Sequence, residues 1–298
     1  NAALIDFPAG SASKNINTVI NIVGKLMEMG ADRGACLIAL GGGVVGDVAG
    51  FVASIFMRSV PCIQVPTTLV AQVDSSIGGK TGVDLPYGKN LVGSFYQPAA
   101  VFISLNFLET LPEKEFNNGL AEIIKYGIID DERMFRTLEE NIDAIKARDP
   151  KLLLSVVENC CQIKKSVVEI DEREEGLRRI LNFGHTLGHA LEAVSKYAIT
   201  HGEGVAMGMV AAARISEKMG YLKSTEPARI EALIRQAGLP AAIPKALDRE
   251  KVIAQIKMDK KKKDDIVHFV LLKKIGMPFI NGHIEHGIIA AVLEEMKG

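Results

Sequence analysis

His185 and His189 stand four residues apart in Asn182-Phe183-Gly184-His185-Thr186-Leu187-Gly188-His189, and His201-Gly202-Glu203 follows shortly after. An i, i+4 pair puts two imidazoles on one helix face, which is metal-ligand spacing. A zinc site that keeps an open position needs three protein ligands. Upstream, Gly119-Leu120-Ala121-Glu122-Ile123-Ile124-Lys125 sets a carboxylate and an ammonium at i, i+3 among apolar residues. Either histidine alone reads more simply as a hydrogen-bonded core residue, and Glu122–Lys125 as an intrahelical ion pair. Together they make a metal centre the better reading, because a charge pair inside an apolar helix belongs to functional sites more than to surfaces. Spacing leaves open which three of His185, His189, His201, Glu122 and Glu203 would bind.

A second chemistry lies near the N-terminus. Ala39-Leu40-Gly41-Gly42-Gly43-Val44-Val45-Gly46-Asp47 reads as a strand end, a glycine turn fitting G-x-G-x-x-G and a helix start. There, backbone N–H groups can approach a pyrophosphate; a turn that merely packs helix on strand is the plainer alternative. Asp47 falls in the first helical turn on this reading, suited to the helix dipole or to a cofactor hydroxyl. Thr67 and Thr68 follow the next apolar strand, where open α/β sheets bind ligands. The stretch 74–90 reads as a long functional loop that contains Asp74, Lys80, Lys89 and Asn90. Its Gly-Gly-Lys-Thr lacks the P-loop spacing and the strand–helix setting, which excludes an NTPase. Lys80, Lys89 and Asn90 there suit a phosphorylated or carboxylated small molecule. The charged runs 171–178 and 259–264 read as solvated, except for Arg178 and the first lysine, Lys260.

The elements that must position these groups follow from periodicity. Residues 2–7 suggest a short strand, 16–29 a helix, 36–40 a buried strand, 44–56 a helix and 61–65 a second strand, a parallel α/β pattern. Another strand is expected over 101–105. From about 112 the pattern turns helical, with helices over 116–129, 134–147, 152–170, 184–194, 203–219, 227–237 and 250–258, and a late hairpin over 267–272 and 278–280. The chain has 298 residues, enough for two domains, and 48% are hydrophobic. A net charge of −1 argues against nucleic-acid binding. No apolar run approaches the ~18 residues of a membrane span. The four cysteines, Cys36, Cys62, Cys160 and Cys161, form no C-x-x-C and read as buried thiols in a reducing, cytoplasmic compartment.

Taken in order, Gly-Gly-Gly-Val-Val-Gly-Asp, Val-Pro-Thr-Thr-Leu, Val-Asp-Ser-Ser-Ile-Gly-Gly-Lys-Thr-Gly, Gly-Leu-Ala-Glu-Ile-Ile-Lys, Asp-Glu-Arg-Glu-Glu-Gly-Leu-Arg, Leu-Asn-Phe-Gly-His-Thr and His-Gly-Glu resemble the sugar phosphate cyclase family. The resemblance runs from about Pro8 to Leu272. It implies a Rossmann-like parallel α/β domain over 1–111 that binds NAD, and an all-α domain over 112–298 for metal and substrate. It implies zinc, or cobalt, on Glu122, His185 and His201, which makes His189 a substrate contact. Substrate contacts carry over to Arg58, Asp74, Lys80, Asn90, Lys125, Lys164, Arg178, Asn182, His189 and Lys260. NAD contacts carry over to Gly42, Gly43, Val44, Asp47, Thr67, Thr68, Lys80, Lys89, Thr110, Leu111 and Glu115.

The activity implied is conversion of 3-deoxy-D-arabino-heptulosonate 7-phosphate to 3-dehydroquinate and phosphate by a homodimer. Cyclases forming a valiolone or an inosose, a metal-dependent alcohol dehydrogenase and a binding-only paralogue are the alternatives. Lys164, Arg178, Asn182 and His189 together favour the dehydroquinate pattern. Two departures stand out. Gly10 is followed by Ser11, where the family carries Glu. The chain opens on Asn1, where the family carries further strand–helix units, so an N-terminal part beyond Asn1 is expected.

Overall fold

The computed structural model describes residues 2–260 and 267–298, apart from the side chains of 258–260. Contacts divide the chain into two compact units, residues 1–116 with 164–168, and residues 117–163 with 169–298.

The first unit is built on a parallel sheet. Asn15 caps α1 (Ile16–Glu28) by accepting from the Thr18 N–H, and Val19, Ile22 and Leu26 form the buried stripe. Strand β1 (Leu37–Gly41) leads into α2 (Gly43–Ile55), then β2 (Cys62–Pro66). β1 pairs parallel with β2 from Leu37↔Cys62 to Gly41↔Pro66. Ala39 and Cys62 face the core with Val48, Phe51 and Val52 of α2. Ile38 and Leu40, which alternate with Ala39, are exposed, as the period of two requires.

Several elements differ from those expected. Residues 2–7 form no strand. The region 74–90 is not a loop: a π-helical turn spans Ala71–Ser75, and β3 (Lys80–Leu85) pairs antiparallel with β4 (Gly88–Phe95). A ribbon with one polar face can have the composition of a loop. The strand expected over 101–105 shrinks to β5 (Ala100–Val101), paired with β2 and followed by a 3-10 turn at Leu105–Leu108. Cys36 is exposed, whereas Cys62 and Cys160 are buried and Cys161 is intermediate.

α3 (Glu113–Ile129) and α5 (Pro150–Ile170) contribute residues to both units, and α4 (Glu132–Lys146) lies in the second. The second unit continues with α6 (His185–Val194), α7 (His201–Lys218), α8 (Thr225–Gln236) and α9 (Arg249–Lys260). The expected hairpin is β6 (Phe269–Lys274) with β7 (Met277–Asn281). A final helix, α10 (His286–Glu295), was not anticipated, although Ile288, Ile289, Val292 and Leu293 follow helical spacing.

Glycines set how closely α6 and α7 approach. Gly184 caps α6 in the left-handed region, φ 79°. A Cβ there would lie 2.8 Å from the Val205 carbonyl oxygen, and one on Gly208 would lie 1.8 Å from the Gly184 carbonyl oxygen. One turn along, a Cβ on Gly188 would meet the Gly204 backbone at 2.9 Å. Because α6 carries His185 and His189 while α7 begins at His201, this backbone contact brings the imidazoles together. Gly208→Ala is therefore expected to destabilise the fold by about 1–3 kcal/mol through overpacking. Gly24→Ala, exposed in α1 with no atom within 4 Å of the added Cβ, should stabilise it by about 0.5–1 kcal/mol. Urea unfolding of both variants checks the opposite signs.

Candidate active site

In the second unit, one carboxylate gathers three cations or potential cations. Glu122 on α3 is 0% exposed. Its Oε2 pairs with Lys125 Nζ at 2.5 Å, one helical turn on. Its Oε1 lies 3.4 Å from His185 Nε2 and 3.1 Å from His201 Nε2. Ligand atoms of Glu122, His185 and His201 all fall within 4.8 Å of one another. The other ring nitrogens face acceptors: His185 Nδ1 is 3.1 Å from the Phe183 carbonyl and His201 Nδ1 is 2.9 Å from Glu192 Oε1. With Nδ1 occupied in this way, Nε2 is the atom left to bind a metal.

Electrostatics reinforce the arrangement. Burial opposes ionisation of Glu122, but Lys125 and the His185 ring outweigh it and hold the carboxyl well below the usual range. Burial likewise disfavours a charged His201, yet its hydrogen bonds to Glu122 and Glu192 raise it to about 10. The metal-free cluster thus holds a proton where a divalent cation would satisfy the same carboxylate.

Other expected groups belong to the same unit. The exposed His189 ring stands 5.4 Å from His185 and 5.9 Å from His201, centroid to centroid. Arg178 is 2% exposed; its backbone N–H donates to Asp171 Oδ2 and its guanidinium to the Glu172 carbonyl. Asn182 Nδ2 donates to Glu174 Oε1 at 2.5 Å. Glu203, one of the candidate ligands by spacing, is committed elsewhere: with Thr200 it forms the capping box of α7. Lys260 ends α9, and its side chain lies outside the described residues.

The first unit assembles a second group. Gly42 is the N-cap of α2 and offers no side chain to its N–H groups, which leaves that helix end suited to an anion. A Cβ on Gly42 would lie 2.9 Å from Thr68 Cγ2, and one on Gly43 2.9 Å from Ser75 Oγ. Gly46 instead packs on Gln64, so part of the glycine pattern serves helix–strand packing. Thr67 and Thr68 follow β2, and the Thr67 N–H donates to the Gly41 carbonyl at 2.9 Å. Val44 opens α2 beside Gly43, whereas Asp47 is the fifth residue of α2, beyond the first turn where it was expected. Asp47 pairs with Lys14 at 2.6 Å, and Lys14 also donates to Asn90 Oδ1 at 2.5 Å.

The π-helical turn fixes Asp74. Gln72 ties the turn down by donating to the Pro66 and Ser104 carbonyls. Lys164 then donates to the Asp74 carboxylate at 2.7 Å and to its carbonyl at 2.5 Å. Lys80 opens β3, and Lys89 lies in β4 with its side chain exposed. Thr110, Leu111 and Glu115 lie where the chain enters α3, with Thr110 and Glu115 exposed. Arg58 follows the far end of α2 from Gly42, a helix of about 20 Å at 1.5 Å per residue, and is exposed with φ 73°.

Three partners of the site were not singled out from sequence: Lys14, Glu174 and Glu192. Glu192 carried a usable signal, because it lies seven residues after His185 and three after His189, on the same helix face. Lys14 and Glu174 are joined to their partners through tertiary contacts and carried none.

Because the folded-state value of His201 is raised, its contribution to stability is complete below about 6.5 and is lost as pH rises through about 10. Chelator-treated protein should therefore lose more stability between pH 7 and pH 10 than its His201→Gln variant, as read by denaturant midpoints. Equal slopes would remove this coupling. Lys125→Met should cost the metal-free protein about 3–5 kcal/mol, as expected when a buried charge loses its partner, checked by the same unfolding curves.

Comparison with known proteins places this geometry. The 3-dehydroquinate synthase N-terminal family matches residues 4–118, and the 3-dehydroquinate synthase C-terminal family matches residues 119–262. The chain is 47% identical over 291 residues to a 3-dehydroquinate synthase of Acidithiobacillus ferrooxidans, covering 97% of this chain and 80% of the relative. A structure of 2-epi-5-epi-valiolone synthase from Streptomyces hygroscopicus with NAD+ and Zn2+ bound superposes with TM-score 0.91 at 29% identity, covering 97% and 81%. A 2-deoxy-scyllo-inosose synthase with carbaglucose-6-phosphate, NAD+ and Co2+ gives TM-score 0.90 at 30% identity, covering 97% and 82%. The chain belongs to the 3-dehydroquinate synthase family.

Proposed function

We propose that this chain is a phosphate-eliminating carbon–oxygen lyase. It converts 3-deoxy-D-arabino-heptulosonate 7-phosphate to 3-dehydroquinate and phosphate, the step that feeds aromatic amino acid biosynthesis, as a cytoplasmic homodimer. The observation that carries the reading is the Glu122–His185–His201 cluster, found in a chain whose 44–48% identical relatives bear that enzyme's name. The valiolone- and inosose-forming structures share the fold at lower identity, which favours the dehydroquinate reaction over theirs. Among the described residues no helix is long and apolar enough to cross a membrane.

The donor sets fit both groups that this chemistry needs. Two imidazole nitrogens and one carboxylate oxygen match zinc or cobalt. The side-chain-free N-cap at Gly42, with Gly43, Val44, Thr67 and Thr68 around it, matches the pyrophosphate of NAD. When bound, NAD supplies reversible removal of a hydride from one ring hydroxyl, and the metal supplies Lewis-acid polarisation of that oxygen.

The chain's own residues do the rest. Asp47, Lys89, Thr110, Leu111 and Glu115 hold the nucleotide. Lys80, which also borders the nucleotide, joins Arg58 and Asn90 in holding the phosphate and its neighbouring oxygens through charge-assisted hydrogen bonds. Asp74, Lys125, Lys164, Arg178, Asn182 and His189 grip the carboxylate and the hydroxyls. This limits the substrate to one reactive pose. With that reversible oxidation supplied, the C–H next to the oxidised carbon would become acidic, which an alcohol leaves inert, so that phosphate could depart from the pose these residues hold, before ring opening and aldol closure.

The test is phosphate release from 3-deoxy-D-arabino-heptulosonate 7-phosphate with NAD and zinc, followed together with absorbance at the NADH band. Phosphate with no net NADH is expected. Net NADH without phosphate would replace the proposal with an alcohol dehydrogenase. His185→Ala is expected to lose both zinc and turnover, and a fully active variant would overturn the ligand assignment.

A further inference from the structure

Glu192 is an acidic side chain without a role in the reaction proposed above, yet it is only 4% exposed. Its Oε1 lies 2.9 Å from His201 Nδ1, and the opposite nitrogen of that ring, Nε2, lies 3.1 Å from Glu122 Oε1. The imidazole is therefore gripped on both edges by carboxylates. The close approach of α6 and α7 permits this: a Cβ on Gly204 would sit 3.4 Å from Glu192 Cγ, so a larger residue at 204 would press on the stem of the acid. His185 differs, since its Nδ1 faces the Phe183 carbonyl, a neutral acceptor. A carboxylate behind a ligating histidine fixes its tautomer and ring plane and makes it a stronger donor.

We infer that Glu192 is a positioning residue for the metal centre, holding His201 with Nε2 turned towards Glu122 and His185. The inference rests on the reading that these three residues bind the metal. A rival arrangement is explicit in the geometry, because ligand atoms of His189, Glu192 and His201 also fall within 4.8 Å of one another; there Glu192 would itself be a ligand of a separate ion.

The experiment measures zinc affinity by competition with a chromophoric chelator, and the visible absorption of the cobalt-substituted protein, for the whole chain without substrate. Wild type, Glu192→Gln, Glu192→Ala and His185→Ala are compared. Glu192→Ala should bind zinc about 10- to 100-fold more weakly and shift the cobalt bands, while Glu192→Gln, which keeps an acceptor oxygen, falls between it and wild type. Circular dichroism establishes that each variant is folded, and Glu192→Gln decides the matter if Glu192→Ala does not fold. Zinc affinity within twofold of wild type with unchanged cobalt bands overturns the inference. So does a second bound zinc that Glu192→Gln alone abolishes. His185→Ala binding zinc as wild type does would instead remove the underlying ligand assignment, which separates the two failures.

Discussion

A carboxylate with no exposed surface must be balanced by neighbours, and Glu122 is where the second unit meets that requirement. One oxygen is taken by Lys125 from the same helix. The other faces two histidines carried by α6 and α7. A lone carboxylate in this setting would take up a proton instead of ionising. The ammonium prevents that, so the second oxygen keeps its charge for whatever sits among the imidazoles. Chemistry and stability are therefore written into the same few atoms, and α3, α6 and α7 must all be in register for either to exist.

That register depends on missing side chains. Gly184, Gly188, Gly204 and Gly208 let two helix backbones approach to distances at which even a methyl group would collide. The seam sets Gly184 against Gly208 and Gly188 against Gly204, which brings the His185 and His201 rings to 5.3 Å, centroid to centroid, and leaves room for Glu192 to reach behind His201. The first unit uses glycine differently. Gly46 and Gly50 press α2 onto Gln64 and Thr81, while Gly42 leaves the helix N-terminus without a cap of its own.

Much of this was legible in the sequence because it is periodic or local. Helices with a clear apolar stripe, the β1–α2–β2 unit and the i, i+4 histidines all follow from spacing. Spacing alone could not choose among five candidate ligands, since the choice turns on which side chains meet in space: Glu203 satisfies the requirement of sequence but spends its carboxylate on Thr200. The hairpin over 80–95 was hidden by its polar, glycine-rich composition. Lys14 lay outside reach for another reason, as its partners Asp47 and Asn90 are distant in the chain. The motifs pointed to a metal and a pyrophosphate, but zinc and NAD as such were legible only through resemblance, because glycine turns and histidine pairs serve many ends.

The ion pair between Lys164 and Asp74 has a consequence for how the protein is made. The ammonium that completes the first unit belongs to a segment separated from residue 116 by residues 117–163. A ribosome emits Asp74 long before it emits Lys164, so the nascent first unit exists for a time without that ion pair. Closing it requires a contact spanning 90 positions, and the entropy of that long loop has to be met before the pairing returns anything. Cutting the gene after residue 116 would therefore yield a sheet and its glycine turn but an unfinished π-helical corner. The first unit is compact in space without being contiguous in synthesis.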